Sequence, residues 1–319
     1  MSVTRSQLGR GPGIVTFNGG TFFTREDILA KHGPVWEPVK STLHGQHDKF
    51  KKDWVVKLPL TLYGLWQNLS ILFPSYALNP SVSTPIFGAT DIPLIILGKN
   101  GDKITYTNAG ITKLADLYLG VDSELFAAAV EVTCLLGNGK NPEDASAYFV
   151  RDTGQAYSET TYANTNFKKT RFTGAWGSVS GFTSVAAQKG WHVAWNLDVK
   201  YDGMADLGTV GAYIGDGCLV AAAKCIPVGP TQAQIDTAQA IGGGTTASPA
   251  AGTAHGVLLS AGGADLTIAG TGISIVLKQA AMVESSTAFG IDPLRVGEIA
   301  WETTRLFTTG TPNAVATIS

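Results

Sequence analysis

The chain has 319 residues, 15% of them charged, with a formal net charge of −2. That length is sufficient for two domains with separate cores. The charge argues against a dedicated nucleic-acid-binding protein, which normally carries a basic patch, but it is compatible with a neutral wall past which DNA slides. Charged residues usually make up about 25% of a soluble domain. Their scarcity, with 38 glycines, favours a surface covered by copies of the same chain; the alternative is an ordinary glycine-rich β protein.

The cysteines and the N-terminus bear on the cellular compartment. Cys134, Cys218 and Cys225 form an odd set without metal-ligand spacing, so we expect reduced thiols packed as small apolar residues within strands. The first ten residues lack the apolar run of a signal peptide, and no stretch reaches 18 apolar residues. We therefore expect no membrane anchor and assembly in the cytoplasm.

The chain opens with a polar, glycine-rich arm over residues 1–13. A short strand is predicted at 14–17, a hairpin turn at Asn18-Gly19-Gly20, and a second strand at 21–23. Thr24 is a candidate N-cap for a short helix that ends at Gly33-Pro34.

Two tryptophan-led segments alternate between apolar and polar residues. One runs from Trp54 to Tyr63 and the other from Trp191 to Tyr201, and their tryptophans are 137 positions apart (191 − 54). Alternation over ten residues predicts strands with one face on a core. A later echo, 101–105 against 263–267, has an offset of 162. The offsets differ by 25 (162 − 137), which predicts a duplicated β module whose second copy contains an insertion.

The remaining elements complete two similar halves. Further strands are predicted at 93–97, 103–106, 112–119, 127–136, 257–260, 266–268, 273–278 and 296–307, and helices at 65–73, 204–211 and 231–241. The predicted fold is mainly β: two tandem β-sandwich or partial-barrel modules with short flanking helices. The first module covers residues 1–165, and the second covers 166–319 with a loop insertion at about 227–255.

Catalytic patterns are weak throughout the chain. His44-x-x-His47-Asp48 is the most metal-like cluster, but it lacks the glutamate of a zinc-protease motif and its neighbours are typical of a polar turn. Gly177-Ser178-Val179-Ser180-Gly181 has valine where a nucleophile elbow needs serine. The sequence also has no phosphate-binding glycine motif. We therefore predict no enzyme activity, no cofactor and no metal site.

The tryptophans are more informative about contacts. Trp54, Trp191, Trp195 and Trp301 lie on apolar strand faces and are expected in a core or a subunit interface. Trp36 and Trp176 are predicted in loops, which makes them candidates for contact with a neighbouring subunit.

The order of these parts, with the opening Gly11-Pro12-Gly13-Ile14-Val15-Thr16-Phe17-Asn18-Gly19 and the closing Gly297-Glu298-Ile299-Ala300-Trp301-Glu302, resembles the tail tube proteins of long-tailed bacteriophages. Most of that family has a single module, and some relatives double it. The resemblance implies two packed antiparallel sheets with a flanking helix. It also implies subunits that join edge to edge into rings, and rings that stack into a hollow tube for the genome.

Under this resemblance, two modules per chain imply a trimeric ring with pseudo-sixfold symmetry, or else a hexameric ring. The resemblance also implies partners: other tail proteins, and DNA in transient, non-specific passage, within a virion tail assembled in the host cytoplasm. The lumen is expected to display polar side chains of mixed sign, namely Lys57, Asp198, Lys200, Glu298 and Glu302. The alternatives are another phage structural protein (a tail-end ring or a capsid-associated protein) or a surface β-barrel or adhesin; an enzyme would have only His44 and His47 as its lead.

Overall fold

The computed structural model provides a description of most of the chain. The described residues are 13–24, 28, 32, 34–43, 45–63, 69–78, 90–120, 127–137, 139–141, 144–157, 171–177, 179–197, 199–202, 211–214, 220–240, 264–270, 272–288, 295–303, 307–308, 311–312 and 316–319. The helices predicted at 24–33 and 204–211 and the strand at 257–260 lie mostly or wholly outside them.

The fold is mainly β, as predicted. The first half contains β1 (Gly13–Phe17), β2 (Gly20–Thr24), β3 (Pro34–Ser41), β4 (Gly45–Trp54), β5 (Val56–Tyr63), β6 (Leu94–Gly98), β7 (Lys103–Tyr106), β8 (Asn108–Leu119), β9 (Ala127–Leu135) and β10 (Phe149–Asp152). The second contains β11 (Thr173–Trp176), β12 (Val185–Asn196), β13 (Val199–Asp202), β14 (Gly211–Ile214), β15 (Val220–Val228), β16 (Ala264–Gly270), β17 (Ile273–Ala288), β18 (Arg295–Thr303), β19 (Phe307–Thr308), β20 (Thr311–Pro312) and β21 (Ala316–Ile318). Two short α-helices, α1 (Ser75–Leu78) and α2 (Gln232–Ala240), follow β5 and β15, and a 3₁₀ turn at Leu69–Leu72 precedes α1.

The strands of the first half close into a ring of antiparallel pairings. Along one arm the pairing order is β1-β2-β5-β9-β8, and along the other it is β1-β6-β7. β7 and β8 do not pair with each other, but only Thr107 separates them along the chain. The two strands therefore follow one another and close the ring. β10 adds to the outer edge of β7.

The second half repeats this connectivity strand for strand. The order β11-β12-β15-β18-β17-β16 returns to β11, with β17 continuous where the first half has β7 and β8. β21 adds to β17 as β10 adds to β7. A separate hairpin lies at the same point of each circuit: β3–β4 between β2 and β5, and β13–β14 between β12 and β15. The chain therefore contains two copies of one closed module.

The strand pairing corrects the alignment inferred from the two tryptophan-led segments. β5 corresponds to β15, and β9 to β18, so the offset along these strands is 167 (224 − 57 and 298 − 131). Trp54 ends the hairpin strand β4, whereas Trp191 lies in β12, so they are not equivalent positions. Period-2 alternation is common to all half-buried strands, and it produced a false match between them.

The same pairing removes the need for a long insertion at about 227–255. Between β5 and β6 the chain has 30 residues (93 − 63), and between β15 and β16 it has 35 (263 − 228). The helix predicted at 231–241 is confirmed as α2, with Ile235 and Ala238 buried. It lies in a connection that the first module also has.

The two modules share one sheet. β8 of the first pairs antiparallel with β12 of the second, from Lys113 opposite Asn196 to Leu119 opposite Trp191. Most of the buried apolar side chains form one cluster that includes residues of both modules, such as Leu58, Leu114, Trp195 and Ile299. A module boundary near residue 165 stays a prediction, because 158–170 lie outside the described part of the chain.

Candidate functional site

The most distinctive surface is the outward side of six adjacent strands, β5, β9, β8, β12, β15 and β18, which we call the outer face. Residues opposite each other across antiparallel strands lie on the same side of a sheet. Pro59 lies opposite Glu131, His192 opposite Lys224, and Ala222 opposite Glu302. Alternate residues point into the core, as the burial pattern of β5 illustrates. The outer face therefore extends without interruption from one module to the other.

Two ion pairs repeat on this face at equivalent positions. Lys57 Nζ lies 3.5 Å from Glu131 Oε1 in the first module, and Lys224 Nζ lies 3.3 Å from Glu298 Oε1 in the second. These side chains are between one-third and about half exposed, so each pair contributes at most about 1 kcal/mol to stability. Their main effect is local neutralisation of charge.

A side-chain hydrogen bond joins the two modules. His192 Nδ1 on β12 lies 2.9 Å from Asp116 Oδ1 on β8. The Tyr118 ring packs beside the His192 ring at 5.0 Å between centroids, and its hydroxyl donates a 2.5 Å hydrogen bond to the Lys189 carbonyl. The junction between β8 and β12, which we call the seam, is thus fixed by side chains as well as by backbone pairing.

Two glycines allow the seam to close tightly. Gly190 has φ of 135°, and a Cβ there would lie 2.6 Å from Gly120 Cα and 2.8 Å from the Leu119 carbonyl oxygen. A Cβ on Gly120 would overlap the Tyr118 ring. Gly190 requires glycine because backbone meets backbone across the seam, whereas at Gly120 the obstacle is the Tyr118 ring.

The core side of the seam has its own polar link. The indole Nε1 of Trp195 donates a 3.0 Å hydrogen bond to the carbonyl of Leu72, in the 3₁₀ turn of the first module. The Leu197 amide, just beyond β12, donates to the Thr112 carbonyl at 3.4 Å. The modules are therefore connected on both sides of the sheet.

Two shallow depressions lie on the outer face. One of about 440 Å³ is lined by Pro59, Thr61, Lys113, Ala129 and Glu131 among others. The other, of about 370 Å³, lies over the seam and has alanines between Asp116, His192, Lys224 and Glu302. Small side chains between paired charges give a surface with few protruding groups.

Three of the five residues predicted to line a lumen share the outer face. Lys57 is on β5, and Glu298 and Glu302 are on β18. Asp198 lies outside the described residues, as does the side chain of Lys200 on β13. Whether this face borders a lumen stays a prediction.

The two tryptophans predicted to contact a neighbouring subunit differ sharply in solvent exposure. Trp36 lies in strand β3 rather than a loop and is 55% exposed. Trp176 was expected to be free for a neighbouring subunit, and that expectation is wrong. It lies in β11, is 0% exposed, and donates a 2.9 Å hydrogen bond from Nε1 to the Ala280 carbonyl. Its ring packs edge-on against Phe182 and Trp301 because the closed second module needs large aromatic side chains at its centre.

The histidine cluster predicted as the most metal-like falls in and beside strand β4. Asp48 and the backbone of His47 lie in β4, and His44 is outside the described residues. Within the described ranges no cluster of three His, Cys, Asp or Glu side chains has metal-site geometry.

The two described cysteines, Cys134 and Cys225, are free thiols and lie within β9 and β15 as expected. Burial raises the pKa of both thiols. Cys218 is outside the described part of the chain.

Five outer-face residues were not among the site residues predicted from sequence: Lys113, Asp116, Glu131, His192 and Lys224. Alternation with buried residues in β9 indicates that Glu131 faces outward. It could not identify their partners, since those come from strands up to 76 positions away.

Within the described residues, no helix combines the length and apolar character needed to cross a membrane. Comparison with protein-family models and with curated protein sequences gives no match for this chain.

Proposed function

We propose that this protein is a structural subunit that assembles into rings, and that the rings stack into a hollow phage tail tube through which DNA passes. The observation that carries the proposal is the seam. One chain already joins two equivalent closed modules edge to edge through β8 and β12. This is the mode of association that the resemblance to tail tube proteins implies between subunits.

The counterpart of β8 in the second module is the C-terminal part of β17, which pairs with β18 as β8 pairs with β9. We infer that this part of β17 pairs with the first module of a neighbouring copy, which repeats the internal seam head to tail. Such contacts generate closed rings when the rotation closes. If each module occupies one-sixth of the circle, three chains complete it, and no sheet edge is left over at the seams.

The outer face suits a passage for DNA. Two of its lysines, Lys57 and Lys224, are paired with carboxylates, and alanines line the depression over the seam. Unpaired basic side chains would hold phosphates through counterion release, which would stall a moving duplex. A face of mixed sign lets a polyanion slide. We infer a structural rather than catalytic role, in a virion tail assembled in the host cytoplasm, with other tail proteins as partners.

The test is electron microscopy of the purified full-length protein, combined with its mass in solution. We expect rings about one chain thick that contain three copies and show pseudo-sixfold symmetry, with tubes of regular axial repeat at higher concentration. Six copies per ring would still support the tube, but it would contradict the assignment of each module to one-sixth of the ring. A protein that stays monomeric at high concentration would overturn the proposal.

A further inference from the structure

The depression over the seam is a candidate binding site for a small molecule. It has a volume of about 370 Å³, and the strands β8, β12, β15 and β18 all contribute to its lining. Every lining residue belongs to the same chain. The site is therefore complete in one copy of the protein and does not depend on ring assembly.

The floor of the depression consists of alanines. Ala115 on β8 is exposed, and Ala194 on β12, Ala222 on β15 and Ala300 on β18 are partly exposed. These short side chains form an apolar floor across the four strands. An alkyl chain laid on such a floor loses contact with water, which favours binding.

A carboxylate lies at each end of this floor. The register shift between β8 and β12 sets Ala194 opposite the two residues Ala115 and Asp116. Ala194 in turn lies opposite Ala222, and Ala222 lies opposite Glu302. Three strand spacings therefore separate the backbones of Asp116 and Glu302, a distance of about 14 Å.

The basic side chains at the depression are already engaged. Lys224 Nζ lies 3.3 Å from Oε1 of Glu298, which is outside the lining. His192 Nδ1 lies 2.9 Å and 3.2 Å from the two carboxylate oxygens of Asp116. Among the described residues, the Glu302 carboxylate has neither a hydrogen bond nor an ion pair. The depression therefore has a surplus of negative charge.

The module fold does not require a carboxylate at the position of Glu302. The offset of 167 between β9 and β18 makes Leu135 its counterpart in the first module (302 − 135). Leu135 is fully buried, whereas Glu302 is partly exposed. The charge at Glu302 is thus a feature of the seam and not of both modules.

The charge and the shape of the depression are complementary to a linear polyamine. The negative surplus disfavours an anion, and the described residues contain no group of three acidic, cysteine or histidine side chains that could hold a metal ion. A linear polyamine has ammonium groups for two separated carboxylates and alkyl segments for the alanines between them. We propose that the depression over the seam binds a free linear polyamine, with ammonium groups at Asp116 and Glu302 and its alkyl chain on Ala194 and Ala222.

The test is equilibrium dialysis of radiolabelled spermidine against the full-length protein at low ionic strength, where exposed ion pairs are least screened. Glu302→Gln is expected to weaken binding about fivefold, because one exposed ion pair is lost. Ala222→Leu is expected to weaken binding at least about tenfold, because it fills the floor without changing the charge. Putrescine, which is shorter, and butylamine, which has one ammonium group, should each bind more weakly than spermidine.

Two matched controls should bind spermidine like the parent. Asp144→Asn removes an exposed carboxylate that is off the outer face, and Ala129→Leu makes the same enlargement in the other depression. Thermal unfolding of each variant shows whether a loss of binding reflects misfolding. If Ala222→Leu does not fold, Glu302→Gln alone decides the outcome, because it preserves the shape of the side chain.

Weaker binding by both site variants, with unchanged controls, supports the proposal. Parent-like binding by Glu302→Gln, or equal weakening by Glu302→Gln and Asp144→Asn, overturns it. A trilysine peptide that binds more tightly than spermidine and is equally sensitive to both site variants would overturn the choice of a free polyamine in favour of a lysine-bearing protein. Absence of rings would refute the proposed function alone, since spermidine binding is measured on a site within one chain.

Discussion

Trp195 in the second module donates its indole N–H to the carbonyl of Leu72 in the first, at 3.0 Å, beneath the strand pair that joins them. Trp195 is 2% exposed, so this hydrogen bond forms out of contact with water. A buried carbonyl that loses its donor retains its desolvation cost.

We predict that Trp195→Phe lowers the free energy of unfolding by about 1–2 kcal/mol beyond the effect of lost ring volume. The matched control is Trp301→Phe, because Trp301 Nε1 is buried without a hydrogen-bond partner among the described residues. Urea denaturation of both variants isolates the N–H. Equal destabilisation by the two changes would show that the bond to Leu72 contributes nothing.

Gly190→Ala should disrupt the seam. The new Cβ would meet Gly120 Cα and the Leu119 carbonyl, and φ at this residue disfavours side chains. We expect a loss of roughly 2–4 kcal/mol. Gly139→Ala serves as control, since Gly139 also has positive φ but nothing lies within 4 Å of its Cβ position. Gly139→Ala should lower the free energy of unfolding by about 1 kcal/mol. Similar losses at both sites would show that the close backbone approach at the seam does not add to the destabilisation.

Stability should depend on the protonation of His32. Burial, reinforced by the Arg151 charge, lowers the pKa of His32, whose Nε2 lies 2.9 Å from the Tyr106 hydroxyl oxygen. Burial also raises the pKa of Tyr106, which keeps its hydroxyl protonated. A histidine whose folded pKa lies below its unfolded value of 6.5 gives full stability above that value. Stability is then lost as the pH falls through 6.5 toward the folded pKa.

The measurement is urea unfolding of parent and His32→Gln at pH 7.5 and pH 5.5. The parent should lose more stability between the two than the variant does, because only the parent gains a proton at this position on unfolding. Identical losses would mean that other groups account for the acid sensitivity.

Charge reversal on the outer face should make assembled protein retain DNA. Glu131→Lys/Glu298→Lys removes both repeated carboxylates and leaves Lys57 and Lys224 unpaired. We expect tighter DNA binding with a salt dependence steeper by about 0.9 in log–log slope for each added phosphate contact. Filter binding across a salt series measures it.

The control adds the same charge elsewhere. Asp102→Lys/Asp144→Lys changes two exposed carboxylates off the face; hydrogen bonds from Ser146 lower the pKa of Asp144, so it is ionised at neutral pH. Equal DNA binding by both double variants would indicate that net charge, rather than the outer face, governs retention.

Strand positions followed from sequence because alternation is a local property. Lys103–Tyr106 was predicted to the residue, and 127–136 differs from β9 by one position. Strand partners did not follow, since Trp54 and Trp191 carry the same local pattern in strands with different neighbours. Trp176 shows the same limit: glycine and serine next to it indicate a loop, yet the module closes around it. Asp116 and His192 come together only through a pairing between modules, which no window of sequence contains.

The position of β12 also has a consequence for the order in which the chain emerges during synthesis. Every strand of the first module, through Asp152, is made before the strand that covers the edge of β8. Until residue 196 is available, a completed first module exposes that edge to other nascent chains. A fragment ending after β10 should therefore be more prone to aggregation than the whole protein, although its own circuit of strands is complete.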